Sequence, residues 1–251
     1  MSFGLLNKSI LKISGEATKE LLNSLITQDT SNLNKQSPIY TLFLNNKGRV
    51  LFSSIIYELE ENSYALEISK ERLMDLAKHI HKYDLSKQVE FSELEDHQVV
   101  ISNEEQSGLF KDPRHPDLPF RGIINKNILL NIDDSITQTY ENLRLKLTIP
   151  EDFDFFYEKS LANDLNIEQL NGISFQKGCY LGQEITSKTK HIRPTKNKLV
   201  TLNNKLYNIS NYACDIYNND ILIGKSFSYN ENHALAIVKR EADNLSNLII
   251  K

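Results

Sequence analysis

Apolar residues change their period in a fixed order along this chain, and that order limits the folds open to it. Residues 9–13 alternate as a short strand, and residues 16–27 carry Ala17, Leu21, Leu22, Leu25 and Ile26 at the spacing of an amphipathic helix. Residues 40–45 and 49–59 are rich in β-branched and aromatic side chains around Asn45-Asn46-Lys47-Gly48, which predicts a hairpin. Residues 64–68 add a strand. Residues 71–81 form a helix with Leu73, Leu76, Ala77 and Ile80 inward, and residues 88–94 and 98–102 are two further strands. The order β-α-β-β-β-α-β-β predicts an α+β sheet with its helices on one face.

Residues 103–117, with their glutamates, a glycine and two prolines, interrupt this pattern and predict a loop. Residues 121–124 and 128–132 then predict a hairpin, and residues 137–147 a helix halted near Pro150. Phe153, Phe155, Phe156 and Tyr157 follow without a clear period; such a cluster either packs in a core or walls a pocket for an aromatic ligand. From Lys198 onward, short apolar runs punctuated by Asn, Asp and Gly predict a small all-β unit.

Chemistry concentrates in Lys177-Gly178-Cys179-Tyr180-Leu181-Gly182-Gln183-Glu184, where a thiol sits in a glycine-flanked turn between opposite charges. A thiol is a nucleophile or soft ligand only as thiolate, so something nearby must favour the anion. Lys177 offers a positive charge, and a helix running on from Gln183 would place Cys179 near its N-terminus. Cys214, in a strand-like run, fits an inert buried thiol.

The 251 residues carry a formal net charge of -4, which gives no general attraction to nucleic acid. Lys188, Lys190, His191, Arg193, Lys196 and Lys198 form a local basic cluster, either a solvated loop or an anion site. No apolar run approaches the ~18 residues of a membrane span, so no membrane partner is expected. The two cysteines occupy different settings, which argues for a reducing compartment. The first residues show neither an apolar leader nor an arginine-rich amphipathic start, and the expectation is a cytoplasmic protein.

The segment from Gly172 through Lys188 resembles the signature K-G-C-[YFW]-x-G-Q-E-x-x-x-[RK] of the YgfZ family of folate-binding iron–sulfur cluster maintenance proteins, which is related to the aminomethyltransferase (T-protein) of glycine cleavage. Ile13-Ser14-Gly15-Glu16-Ala17, Leu25-Ile26-Thr27-Gln28-Asp29, Asn46-Lys47-Gly48-Arg49-Val50, Asp112-Pro113-Arg114 with Arg121, and the stretch from Tyr140 to Pro150 resemble further family blocks in the family's order. The resemblance implies an aminomethyltransferase-like folate-binding body of antiparallel sheets with helices over residues 1–195, and a small β-barrel-like domain over 196–251.

It also implies that Cys179 is the reactive thiol or a ligand to a transient iron–sulfur cluster, with the remaining ligands from a partner. Lys177, Gly178, Tyr180, Gly182, Gln183, Glu184 and Lys188 would support the motif. Tetrahydrofolate or a derivative is the implied cofactor, with Arg49 and Arg121 as candidate folate contacts. Partners would be iron–sulfur assembly proteins or cluster-containing client enzymes, tRNA-modifying ones among them, with no direct nucleic-acid contact. The acidic residues that follow the glycine hairpin in T-proteins are missing from Gly48-Arg49-Val50-Leu51-Phe52-Ser53-Ser54. That disfavours the alternative of a folate-dependent aminomethyl or one-carbon transferase, because a missing proton-transfer group costs ~10²–10⁴-fold in rate. A non-catalytic adaptor is the other alternative.

Overall fold

A computed structural model describes residues 2–128, 131–241 and 248–250. Its strands are β1 (Gly4–Leu6), β2 (Lys8–Ser14), β3 (Ile39–Leu44), β4 (Val50–Glu60), β5 (Ser63–Ser69), β6 (Glu90–Glu93), β7 (His97–Ser102), β8 (Leu109–Lys111), β9 (Phe120–Asn125), β10 (Asn197–Asn203), β11 (Asp215–Asn218), β12 (Ile221–Tyr229), β13 (His233–Lys239) and β14 (Leu248–Ile250). The principal helices are α1 (Thr18–Leu25), α2 (Leu73–Tyr83), α3 (Asp134–Lys146) and α4 (Gln183–His191). They build three antiparallel sheets, ordered β3-β4-β5-β2-β6, β1-β7-β9-β8 and β10-β13-β12-β11-β14.

The first sheet is covered on both faces, which is why Val50 to Tyr57 of β4 is buried without alternation. One face meets Leu22 and Leu25 of α1 and Leu73, Leu76 and Ile80 of α2. The other presents Ile10, Tyr40, Ile55 and Tyr57 to a core shared with Val99 and Ile101 of the second sheet, Tyr140 of α3, and Phe227 and Leu235 of the third. A single apolar core thus draws on all three sheets.

The single sheet expected for the N-terminal part is divided. β6 pairs with β2, whereas β7 pairs with β1 and β9, so the chain changes sheets between residues 93 and 97. The expected loop at 103–117 contains β8, held against β9. Of the expected strand at 128–132, residues 129 and 130 lie outside the described residues, and Ile132 bridges Phe3 in parallel. Among the described residues the edge strands β10 and β14 do not join, so the expected barrel-like unit is an open five-stranded sheet.

Candidate functional site

Residues 177–182 form an arch whose two feet are buried while its crown is exposed. Lys177 is buried, and its ammonium donates to the carbonyls of Asn23 (2.7 Å), Ile26 (2.9 Å) and Gln28 (2.9 Å), closing the C-terminal end of α1. Burial lowers its pKa to about 8, against the opposing pull of Asp29. Tyr180 is buried in the central core, and the Leu181 amide donates to the Ser24 carbonyl at 2.9 Å. Between these anchors Gly178 and Cys179 stand exposed.

The arch is locked from behind by two glycines. Gly182, in the left-handed region at φ 84°, caps α4, and a Cβ there would sit 2.8 Å from the Asn45 carbonyl oxygen. Gly48, at φ 67° in the hairpin, faces it: a Cβ would lie 2.7 Å from Ile185 Cβ and 3.2 Å from the Gly182 carbonyl oxygen. Two sequence blocks separated by some 130 residues are therefore the two halves of one backbone contact. Gly178 has open space around its Cα and no positive φ, so nothing among the described residues demands glycine there.

The electrostatic part of the sequence reading needs correction. Lys177 was expected to bias the thiol toward thiolate, but its ammonium is committed to three backbone carbonyls on the inner side of the arch. Lys188 pairs with Glu184 one helical turn back, both of them exposed. Gln183 is half-buried at the first position of α4. Cys214 donates its Sγ–H to the Asn211 carbonyl at 3.1 Å beside the apolar core of the third sheet. No group of three or more His, Cys, Asp and Glu side chains able to hold a metal forms among the described residues. Any cluster held through Cys179 needs ligands from elsewhere.

Where the three sheets meet, a cavity of about 870 Å³ opens. Phe153, Phe155, Phe156 and Tyr157, the cluster without a period, line it together with Tyr212 and Phe227. Cys179 is not among its lining residues. Its floor is charged. Glu151 meets Lys8 at 2.6 Å and accepts from Arg114 Nη1 at 2.9 Å and the Tyr140 hydroxyl at 2.7 Å. Burial would raise its pKa, but Lys8, Arg114 and Arg121 together hold it well below the usual carboxylate range. Asp152 accepts from the amides and hydroxyls of both Ser53 (3.0 and 2.6 Å) and Ser69 (2.9 and 2.7 Å).

Carboxylates were expected to be missing because none follows the hairpin in sequence. Ser53, within the stretch where the resemblance implies acids, instead holds Asp152, which arrives from the segment after α3. The signal that could have found this pair is two adjacent acids set between Ile149-Pro150 and Phe153. Arg121, a candidate folate contact, is buried below the cavity and does not line it. Its Nε donates to Glu67 Oε2 at 2.8 Å and its Nη1 to the Tyr140 hydroxyl at 3.0 Å. Asp112 and Arg114 belong to the same buried network, Nε to Oδ1 being 2.9 Å. Arg49 lies beside the hairpin, donates to the Lys159 carbonyl and lines a separate recess.

No family model matches the chain. It is 28% identical over 241 residues to the iron-sulfur cluster assembly factor IBA57 homolog, mitochondrial, of Coccidioides immitis, covering 81% of this chain and 56% of that protein. The correspondingly named protein of Mycosarcoma maydis is 28% identical over 222 residues, covering 78% and 55%, and that of Dictyostelium discoideum is 24% identical over 234 residues, covering 73% and 57%. The chain thus spans about half the length of these curated relatives. Among solved structures it is similar to the glycine cleavage system aminomethyltransferase T from Bartonella henselae, with a TM-score of 0.76 and 11% identity over 99% of this chain and 83% of that one. The fold is the aminomethyltransferase fold. The expectation of a cytoplasmic protein is overturned, since these relatives are named as mitochondrial. It rested on the composition of the first residues and on the settings of the two cysteines.

Proposed function

We infer that this chain, which belongs to the family of the YgfZ and IBA57 proteins, is a folate-binding accessory factor for iron–sulfur cluster assembly in mitochondria, acting on client enzymes that include tRNA-modifying ones. What carries the reading is the exposed Cys179 on an arch whose feet are fixed in the core, in a chain related to proteins named as iron–sulfur cluster assembly factors. The cluster is cargo, and Cys179 is one soft ligand or exchange partner for it, the other ligands coming from assembly proteins, client enzymes or a small thiol.

The cavity fits a folate. Its volume lies within the ~300–1,000 Å³ of drug-sized sites, and its aromatic walls with a few fixed polar groups suit a bicyclic ring. Phe153, Phe156, Tyr157 and Phe227 would wall the ring, and Asp152 and Glu151 would face its polar edge. A bound tetrahydrofolate supplies nitrogens that can carry a one-carbon unit. The alternative of aminomethyl transfer asks for a general base with a pKa near the working pH. Glu151, ionised by three surrounding cations and fully partnered, does not meet that demand.

Two experiments test the reading. Cys179→Ala should abolish rescue of cluster-enzyme activity in cells lacking the protein while leaving its melting temperature unchanged; full rescue would remove the thiol from the function. Calorimetry should detect tetrahydrofolate binding at submillimolar ligand. Its absence, with rescue by the unaltered chain intact, would favour the non-catalytic adaptor.

A further inference from the structure

Tyr157 lines two cavities at once. On one side is the aromatic cavity between the sheets. On the other is a recess of about 700 Å³ between the 45–48 hairpin and α2, bordered by Lys47, Arg49, Lys78, His79 and Lys82. The divide is a stack one side chain thick: the Arg72 guanidinium lies 4.1 Å from the centre of the Tyr157 ring and 5.1 Å from that of Phe52.

The two cavities differ in charge. The aromatic cavity sets two cations, Lys8 and Arg72, against four carboxylates, Glu71, Glu141, Glu151 and Asp152. The recess sets four cations, Lys47, Arg49, Lys78 and Lys82, against Asp75 and Glu158. None of these four cations has a carboxylate within ion-pair distance among the described residues. Lys82 lies over the Tyr83 ring and Arg49 donates to a backbone carbonyl, so both keep charge to offer a ligand.

We propose that the recess is the subsite for the poly-γ-glutamate tail of the folate, the tail passing Tyr157 while the ring stays in the aromatic cavity. This rests on the folate reading above. An uncharged ring and aminobenzoyl group need no counter-charge from the aromatic cavity, whose Glu151 and Glu141 are already paired with Lys8, Arg114 and Arg144; a chain carrying one more carboxylate per γ-glutamyl unit is drawn instead to the four unpaired cations of the recess. A rival exit opens past Leu5 and Lys8 toward Lys70 and Lys126, but Glu93 and Glu95 oppose those lysines, and Lys8 is already paired with Glu151.

The test is titration of the full chain with tetrahydrofolate monoglutamate and with its triglutamate, at low and at high salt. The triglutamate should bind about tenfold more tightly, two extra carboxylates each gaining a modest surface interaction, and the gap should close at high salt. In Lys78→Gln/Lys82→Gln the two ligands should bind within about twofold of each other, whereas Lys126→Gln should leave the tenfold gap in place. Equal affinity of the two ligands for the unaltered chain would overturn the tail subsite and leave the folate reading standing. A gap that survives the double substitution but is lost in Lys126→Gln would assign the tail to the rival exit, and failure of both ligands to bind would overturn the subsite and the folate reading together.

Discussion

At the scale of single residues, three glycines in or near the motif are predicted to behave differently, because only two are required by the chain itself. Gly48→Ala and Gly182→Ala each force a side chain into the left-handed region and onto a neighbour 2.7 or 2.8 Å away. Each should cost ~1–3 kcal/mol and lower the melting temperature by several degrees. Gly178→Ala meets open space and should fall within ~0.5 kcal/mol of the unaltered chain. Thermal melts of the three variants check this, and a Gly178→Ala protein as unstable as Gly182→Ala would contradict the arch. His79 supplies a prediction in pH. Burial, aided by Lys82, depresses its pKa from 6.5 to about 4, and its ring packs edge-on against Phe43, Phe52 and Tyr83. The unfolded chain therefore takes up this proton first. The stability that neutral His79 contributes is complete above about pH 6.5 and is lost as pH falls from there toward 4. Discounted for the partial exposure of the ring, the loss is ~1–2 kcal/mol. His79→Leu should flatten that part of the pH dependence of urea unfolding, and an unchanged slope would refute it.

At the scale of elements, the legible part of the fold is the part written in local period. α1, α2 and the β3–β4 hairpin were readable because each shows several repeats of its own spacing, and β2, β5 and β9 because β-branched runs end at turn residues. β1 and β8 were not, since three residues are too few to display alternation. The division of one expected sheet into two escaped because the partners of β7 lie at residues 4–6 and 120–125, and no local pattern encodes that pairing. The site divides in the same way. Cys179 stood out by its neighbours in sequence, whereas the partners of Lys177 lie about 150 residues away and commit its ammonium to holding the backbone after α1. Arg121 is the sharpest case, because a folate contact was expected of a residue that ties β9 to β5 through Glu67. Arg121→Met leaves that carboxylate buried without its cation and should destabilise by ~3–5 kcal/mol. Arg121→Met/Glu67→Gln should recover much of the loss, and a double-mutant cycle in urea reads the coupling. Strictly additive losses would show that the pair is not a unit.

At the scale of the whole molecule, the aromatic cavity joins parts of the chain that share little else. Leu5 belongs to the second sheet, Ser69 to the first and Phe227 to the third, and all three line it. Asp154 adds a seam, accepting from Arg144 of α3 at 2.8 Å and from the Ser228 amide of β12 at 2.9 Å. A ligand seated there gains its contacts only when the three sheets are assembled, so its binding free energy becomes resistance to their separation. At a hundred times the dissociation constant this amounts to ~2.7 kcal/mol. Saturating tetrahydrofolate should therefore slow amide exchange in β1, β5 and β12 together and raise the melting temperature in one transition. Protection confined to a single sheet would mean that the ligand sits on one wall rather than between three. Phe156→Ala, which removes a wall on the third-sheet side where its ring meets Phe227 at 5.0 Å, should weaken the effect in all three sheets equally, since the sheets respond to occupancy and not to that contact. The same logic separates the two halves of the proposed function. Cys179→Ala alters the exposed arch and not the cavity, so it should keep the full ligand-induced stabilisation while losing rescue, and a loss of both would mean that arch and cavity form one site.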